Sequence, residues 1–581
     1  MYTTTRPTRA GRAPDLVFRL CRTLLSLLVL FTGLQLFAAT AEPVHAGNGL
    51  VTSRSKLASE VGAGILMQGG NAIDAAVATE FALAVTHPSA GNLAGGGFIV
   101  IRLADGRVVT NDNREKAPKA ASRDMYLNTE GEVTPGLSTE SHLAVGVPGT
   151  VDGLLSALDR FGSLDRKTII EPAIRLAEAG FVLSYDLARQ FERYQQAFAK
   201  HPASKEKFTR SDGSLYKAGD VWKQPDLAAT LKRIAKNGRE GFYSGKTADL
   251  IVAEMQRGGG LITLEDLTDY HSVWREPIHG TYRGYDIYSM PPPSSGGVLL
   301  VEMLNMLEPY DIKASGFGSA ATMHLMIEAE RRAYADRATH LGDPDFYDVP
   351  LKHLLSKQYA RDSFASFDPK RASISEDIGP GFWPAESPNT THLSTMDNKG
   401  NAVSYTTTLN LSYGSKIVTP GGGFLLNNEM DDFSSKANTP NSFGLLGGTA
   451  NAIEPGKRML SSMTPTIVTR DGKVFLVTGS PGGSTIITTV LQVVLNTLDH
   501  GMDVSDAVGL GRFHHQWKPD VVLYEPNGFS PDTLSLLKGM GHKMVPWKYG
   551  RGIGDANSIR RVDKELQGVS DVRNNGGAVG F

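Results

Sequence analysis

Cysteine is almost absent: one residue in 581, Cys21, and it falls within the N-terminal segment. A chain without thiols beyond that point has no disulfide framework, no cysteine nucleophile and no thiolate zinc site, so its stability rests on a buried core. Excess charge is missing too. The 59 basic and 61 acidic residues leave a formal charge of −2, which makes no field able to gather nucleic acid or anionic lipid, and no basic aromatic clusters stand in for one. The 14 histidines form no His-Glu-x-x-His pair, so a metal site is unsupported. Internal repeats, low-complexity tracts and heptad seams are absent as well.

What is present begins at the N-terminus. Arg6, Arg9, Arg12, Arg19 and Arg22 precede an apolar run from Leu24 to Phe37, and Ala39-Thr40-Ala41 has the small-x-small form of a cleavage site. Ser26, Thr32, Gly33 and Gln35 interrupt the run, which falls short of the roughly 20 apolar residues of a membrane span. Residues 1–41 therefore read as a secretory signal peptide, with an uncleaved anchor as the alternative. Its removal gives a periplasmic or secreted chain that starts near Glu42 and keeps no stable membrane anchor. With 41% hydrophobic residues the remainder can bury a large core, and its length allows roughly two to four folding units, or fewer if one layered sheet absorbs it.

Apolar residues recur at helical spacing from Ser55 to Met67 and from Ala72 to Val85, with Gly69-Gly70 between them and Pro88 after, which predicts two closely packed, mostly buried helices. Phe98 to Leu103 and Val108 to Thr110 flank Ala104-Asp105-Gly106, a hairpin signal. From Leu155 to Arg337 the pattern is mainly helical, a scaffold without a catalytic signature. Ile374 to Pro388 is rich in Pro, Gly, Ser and acidic residues and predicts an exposed loop, the best candidate boundary in the chain. β character follows at Thr391 to Met396, Ala402 to Thr408, Thr464 to Thr469 and Val474 to Thr478, before helices from Ser484 to Leu498 and Pro531 to Lys538. That order favours an α+β fold, a layered sheet sandwich covered by helices on both sides.

Thr390 stands where the loop meets the first of these strands. A threonine hydroxyl is a weak nucleophile near neutral pH and needs a base. A cut immediately before Thr390 would leave an α-amino group on the same residue, and its ordinary pKa of about 7.7 to 8.0 suits proton transfer. The bland alternative is a strand-opening Thr-Thr pair. Gly482-Gly483, ahead of the predicted helix at Ser484, could bring backbone N–H groups close to a reacting carbon. The Gly-Lys-Ser/Thr ending of a phosphate loop is absent, and a plain tight turn stays open. His392 lies two residues from Thr390 on the same strand and reads as a packing or backbone-ordering residue.

Several separate segments then resemble one motif series: Gly69-Gly-Asn-Ala-Ile-Asp-Ala-Ala76, Gly95-Gly-Gly-Phe98, Arg114-Glu-Lys-Ala-Pro118, Asn389-Thr-Thr-His-Leu-Ser-Thr395, Thr408-Leu-Asn410, Leu425-Leu-Asn-Asn-Glu-Met-Asp-Asp-Phe433, Lys457-Arg-Met-Leu-Ser-Ser-Met463, Gly479-Ser-Pro-Gly-Gly483 and Gly576-Gly-Ala-Val-Gly-Phe581. The series is similar to that of the γ-glutamyltransferases, or γ-glutamyltranspeptidases, which are N-terminal-nucleophile hydrolases. The resemblance implies a four-layer αββα sandwich with additional helices from the large subunit, and a precursor that cuts itself between Asn389 and Thr390 into a large subunit (42–389) and a small catalytic subunit (390–581). It implies Thr390 as nucleophile, Thr408 as the hydroxyl that supports it, and Gly482 and Gly483 as the oxyanion hole. Arg114, Ser461 and Ser462 would take the α-carboxylate of a glutamyl group, and Asn410, Glu429 and Asp432 its α-ammonium. Donors would be glutathione, glutamine or other γ-glutamyl compounds, acceptors water, amino acids or peptides, and no cofactor is called for.

Ser434 to Asn451 matches the flexible lid of many bacterial members, with Phe443 where tyrosine is frequent; the lost hydroxyl removes a gating hydrogen bond to Asn410 and implies a looser lid. Two rivals share parts of this pattern: a cephalosporin acylase or poly-γ-glutamate-processing enzyme of the same fold, and a non-catalytic periplasmic binding protein that keeps the zwitterion pocket. Asp432 speaks against a glutaryl acylase, whose substrate has no α-ammonium.

Overall fold

The computed structural model describes residues 1–5, 41–378, 390–436 and 448–581. Most of the signal segment, Asn389 and Phe443 lie outside the described residues.

The two Ala- and Gly-rich helices form as expected: α1 (Lys56–Met67) and α2 (Ala72–Thr86). Asn71 and Asp74 close the start of α2 with reciprocal side-chain-to-backbone hydrogen bonds, a capping box. Every residue of α2 is buried, so the helix runs between α1 and a sheet and has no polar face. The helices approach closely because α1 carries Gly62: a Cβ there would lie 2.2 Å from Thr79 Oγ1.

Among the described residues, fourteen strands make the two large sheets. In chain order they are β1 (Val44–Ala46), β2 (Gly49–Ser53), β3 (Gly96–Arg102), β4 (Val108–Asp112), β5 (Val273–Arg275), β6 (Ile278–Tyr282), β7 (Tyr285–Ser289), β8 (Thr391–Asp397), β9 (Ala402–Thr408), β10 (Thr466–Arg470), β11 (Lys473–Thr478), β12 (Asn557–Val562), β13 (Glu565–Ser570) and β14 (Gly577–Gly580). One sheet has the order β14-β2-β8-β9-β3-β4-β5 and the other β1-β13-β12-β11-β10-β7-β6. Pairing within both is antiparallel. The sheets face each other across Leu50, Val100, Met396, Ile467, Val477 and Ile559. Helices α1 and α2 cover the outside of the first. The second is covered by α3 (Gly296–Leu307) and α6 (Val504–Gly509), with α4 (Ala320–His340) and α5 (Thr485–Leu498) packed on α3. This is the αββα sandwich, and both β8 and β9, buried along their whole length, sit at its centre.

One expectation needs correction. The stretch read as mainly helical contains β5, β6 and β7, whose half-exposed residues carry no strong period-two signal. Residues 379–388 of the expected Ile374–Pro388 loop lie outside the described residues. Residues 43–581 form one compact body, because β8 pairs with β2 on one side and β9 pairs with β3 on the other.

Candidate active site

Thr390 immediately precedes β8 and is 4% exposed. In the β8–β9 register Thr391 opposes Thr407, which sets Thr390 beside Thr408 at the end of β9. The Thr408 Oγ1 accepts the Asn410 backbone N–H at 2.8 Å. Asn410 has left-handed backbone geometry, φ 72°, a strained conformation that functional turns often keep. Its Nδ2 donates to the Asn428 carbonyl at 2.9 Å, while its Oδ1 is a buried acceptor with no partner. The His392 ring is held within the sheet, between Thr406 Oγ1 (2.9 Å) and Ser394 Oγ (3.0 Å); burial depresses its pKa to about 3, so it is neutral.

At the other wall, Gly482 (φ 140°) and Gly483 (φ 57°) lead into α5. Both values are costly for residues with a Cβ. The Gly482 carbonyl takes the Thr485 N–H at 3.0 Å and the Thr485 hydroxyl at 2.8 Å, fixing the turn. Among the described residues neither glycine N–H has an acceptor. Two adjacent buried donors left unpaired at the positive end of a helix suit an anionic oxygen.

The charged groups enter from three elements. Arg114 follows β4 and is fully buried. It donates to Glu429 and to Asp432, which share a short 3-10 turn, and lies 3.8 Å from Glu115. Three carboxyl groups around one guanidinium cannot all stay ionised. Burial pushes Glu115 up to about 8 against the pull of Arg114, holds Glu429 well above the usual carboxylate range, and pushes Asp432 up to about 6. One Glu429 oxygen, Oε2, is also buried without a partner. Ser461 and Ser462 close the ring. The Ser461 hydroxyl accepts the Met463 N–H at 3.1 Å, and the Ser462 hydroxyl accepts from Arg337 of α4 at 3.2 Å.

One cavity, about 290 Å³ counting space open to solvent, is lined by Thr390, Thr408, Gly483, Arg114, Asn410, Glu429, Asp432, Ser461 and Ser462, together with Arg337, Met463 and Ile486. Of the described candidate residues only Gly482 is not part of the lining. Sequence reasoning missed Arg337, which lies in a helix that reads as scaffold, and Glu115, which stands next to Arg114 in the same motif. It also missed the apolar patch of Phe98, Met290, Met463 and Ile486 behind the hydroxyl pair. Elsewhere, His324, Glu328 and His542 bring ligand-type atoms within 4.8 Å of one another, but Glu328 is engaged by Arg331, Arg332 and the Ser373 N–H.

The sequence pattern described as Gamma-glutamyltranspeptidase matches residues 58–581. The chain belongs to the γ-glutamyltranspeptidase family. It is thereby an enzyme of the N-terminal-nucleophile hydrolase type. Among relatives, the glutathione hydrolase proenzyme of Escherichia coli (strain K12) is 51% identical over 534 residues, 91% of each chain. A cephalosporin acylase from Bacillus halodurans has the same fold, with a TM-score of 0.82 at 27% identity over 94% of this chain and 98% of that one. A γ-glutamyltranspeptidase chain from Helicobacter pylori is 45% identical with a TM-score of 0.56, covering 59% of this chain and 97% of that one. No helix among the described residues is long and apolar enough to cross a membrane.

Proposed function

We propose that this family member is an exported γ-glutamyl hydrolase and transpeptidase that cuts itself between Asn389 and Thr390. The freed Thr390 would then pass the γ-glutamyl group of glutathione or a related compound to water or to the amine of an amino acid or peptide. In maturation the Thr390 hydroxyl adds to the Asn389 carbonyl, the C–N bond breaks as an ester forms, and water hydrolyses the ester to leave a carboxylate on Asn389 and an amine on Thr390. Residues 42–389 and 390–581 become the two subunits.

In turnover that amine accepts the hydroxyl proton as the oxygen attacks the γ-amide carbon. The N–H groups of Gly482 and Gly483 hold the oxyanion, the proton passes to the leaving amine, and water or a second amine then opens the γ-glutamyl ester. Thr408 supports the nucleophile. Arg114, Ser461 and Ser462 take the α-carboxylate, and Asn410, Glu429 and Asp432 the α-ammonium.

The observation that carries this reading is the polarity of the cavity around Thr390. Unpaired N–H donors stand on the Gly482–Gly483 side, while an unpaired acceptor, Asn410 Oδ1, and the unpartnered carboxyl oxygen of Glu429 stand on the other. A glutaryl donor, which has no ammonium, would leave the Asn410 acceptor unsatisfied, so glutamyl donors are favoured. The test is intact-mass and N-terminal analysis of wild type and Thr390→Ala, with a γ-glutamyl anilide assay with and without glycylglycine. Wild type should appear as two chains, the smaller starting at Thr390, and the variant as one inert chain. A Thr390→Ala protein that still separates into two chains overturns the proposal.

A further inference from the structure

We infer that Arg337 is a specificity-determining residue of the glutamyl pocket, a second cation that fixes the polarity of the Ser462 hydroxyl and draws the α-carboxylate towards the Ser461–Ser462 side. The inference rests on the γ-glutamyl reading above.

Two observations support it. The first is charge. Arg114 is already bonded to Glu429 and Asp432, with Glu115 beside it. An arriving carboxylate would therefore meet a guanidinium flanked by acids, and carboxylates that lie within a few ångströms of each other repel strongly in a buried site. Arg337 is 4% exposed, lines the same cavity, and reaches it from α4 on the side of the hydroxyl pair. It brings a second cation to the same cavity, one whose charge also bears on Asp432.

The second is hydrogen-bond direction. An arginine only donates. The Arg337 terminal nitrogen donates to Ser462 Oγ at 3.2 Å and its Nε to Ser295 Oγ at 3.0 Å. Ser295 in turn donates its hydroxyl to the Ser461 carbonyl at 2.7 Å, and its N–H goes to the same carbonyl at 2.8 Å. With a lone pair of Ser462 occupied by Arg337, the hydroxyl proton of Ser462 is left to donate to another acceptor, and the α-carboxylate of a substrate in this cavity is such an acceptor. Arg337 is thus held by Ser295, the residue that also holds the backbone of the serine pair. One turn earlier on α4, Tyr334 donates to the Ser484 carbonyl at the start of α5, so the same helix braces both the hydroxyl pair and the Gly482–Gly483 turn.

The test compares processed wild type with Arg337→Gln, Arg337→Lys and Ser295→Ala, reading KM and kcat for γ-glutamyl 4-nitroanilide and the inhibition constant of L-glutamate. Loss of a charge-assisted interaction predicts that Arg337→Gln raises both KM and the glutamate constant by about tenfold or more while kcat changes by less than about threefold. Arg337→Lys recovers part of the loss, and Ser295→Ala moves KM in the same direction by a smaller factor. Unchanged KM and glutamate binding in Arg337→Gln overturn the inference, as does an equal fall of kcat in all three variants without a KM effect, which is the mark of a packing defect. Should Arg337→Gln fail to yield two chains, Arg337→Lys and Ser295→Ala decide alone, and wild-type KM in both overturns it. Wild type that releases no nitroaniline would instead defeat the γ-glutamyl reading itself.

Discussion

In this structure Asp432 and Glu429 hold Arg114, although under the proposed function a glutamyl donor would bring both an ammonium and a carboxylate to the same three side chains. Binding is then an exchange of ion pairs, and it depends on the protonation of Asp432. Burial raises this carboxyl to about 6, while Arg114 and Arg337 pull it down and Asp431 pushes it up. A folded-state value above the ordinary carboxylate value of about 3.9 means that the folded chain holds this proton more tightly. The associated stability is therefore full at acid pH and is lost as pH rises through about 6, the window in which the anionic form able to hold an ammonium appears. In the processed enzyme the inhibition constant of L-glutamate should fall as pH is raised from about 5 to about 7, by up to about tenfold per unit below the midpoint. Asp432→Asn should weaken inhibition and flatten that limb. A profile that keeps its slope in the variant would remove Asp432 from ammonium binding. The groups that sequence alone points to are those embedded in distinctive polar motifs, such as Asp432 and Ser462. Arg337 stays hidden because one arginine on a long helix looks like any solvated charge until α4 is packed against the serine pair.

Elements with one dominant period were readable before folding. The α1 and α2 helices, the β3–β4 hairpin and the β8–β9 and β10–β11 pairs fall within a few residues of the spans expected from pattern and turn signals. The misses are the short, partly exposed strands β1 and β5 to β7, the buried β2, and the C-terminal β12 to β14. Their residues become strands through long-range pairing, as when Gly577–Gly580 lies along Gly49–Ser53, and a local pattern has no access to a partner hundreds of residues away. The α1–α2 contact tests which physical effect governs such an element. Gly62→Ala adds helix propensity, worth about 1 kcal/mol on an open helix. It also drives a methyl to 2.2 Å from Thr79 Oγ1, with the Ala75 carbonyl at 3.1 Å. Overpacking of a closed contact costs about 1 to 3 kcal/mol, so the variant should be less stable, with a lower midpoint in thermal or denaturant unfolding. Adding Thr79→Ala, which removes the nearest atom, should restore part of the difference. A Gly62→Ala chain that unfolds at higher temperature would mean that the two helices yield more easily than their burial implies.

At the scale of the molecule, the proposed cut between Asn389 and Thr390 would fall inside a sheet rather than between bodies. β8 and β9 from the C-terminal side are flanked by β2 and by β3 from the N-terminal side, and β10 pairs with β7 in the second sheet. The interlayer core mixes Leu50 and Val100 with Met396, Ile467 and Ile559. Breaking one peptide bond leaves all of these pairings in place, and separating the products would expose unpaired edges on both central strands together with the apolar faces of two sheets. The two chains should therefore migrate together in size-exclusion chromatography, part only under denaturing conditions, and unfold in one transition. Expressed alone, residues 390–581 should fail to give a folded, soluble subunit, because β8 and β9 would lack both neighbours. Recovery of that segment as a cooperative folded unit, or separation of the cut chains without denaturant, would contradict the interleaved arrangement.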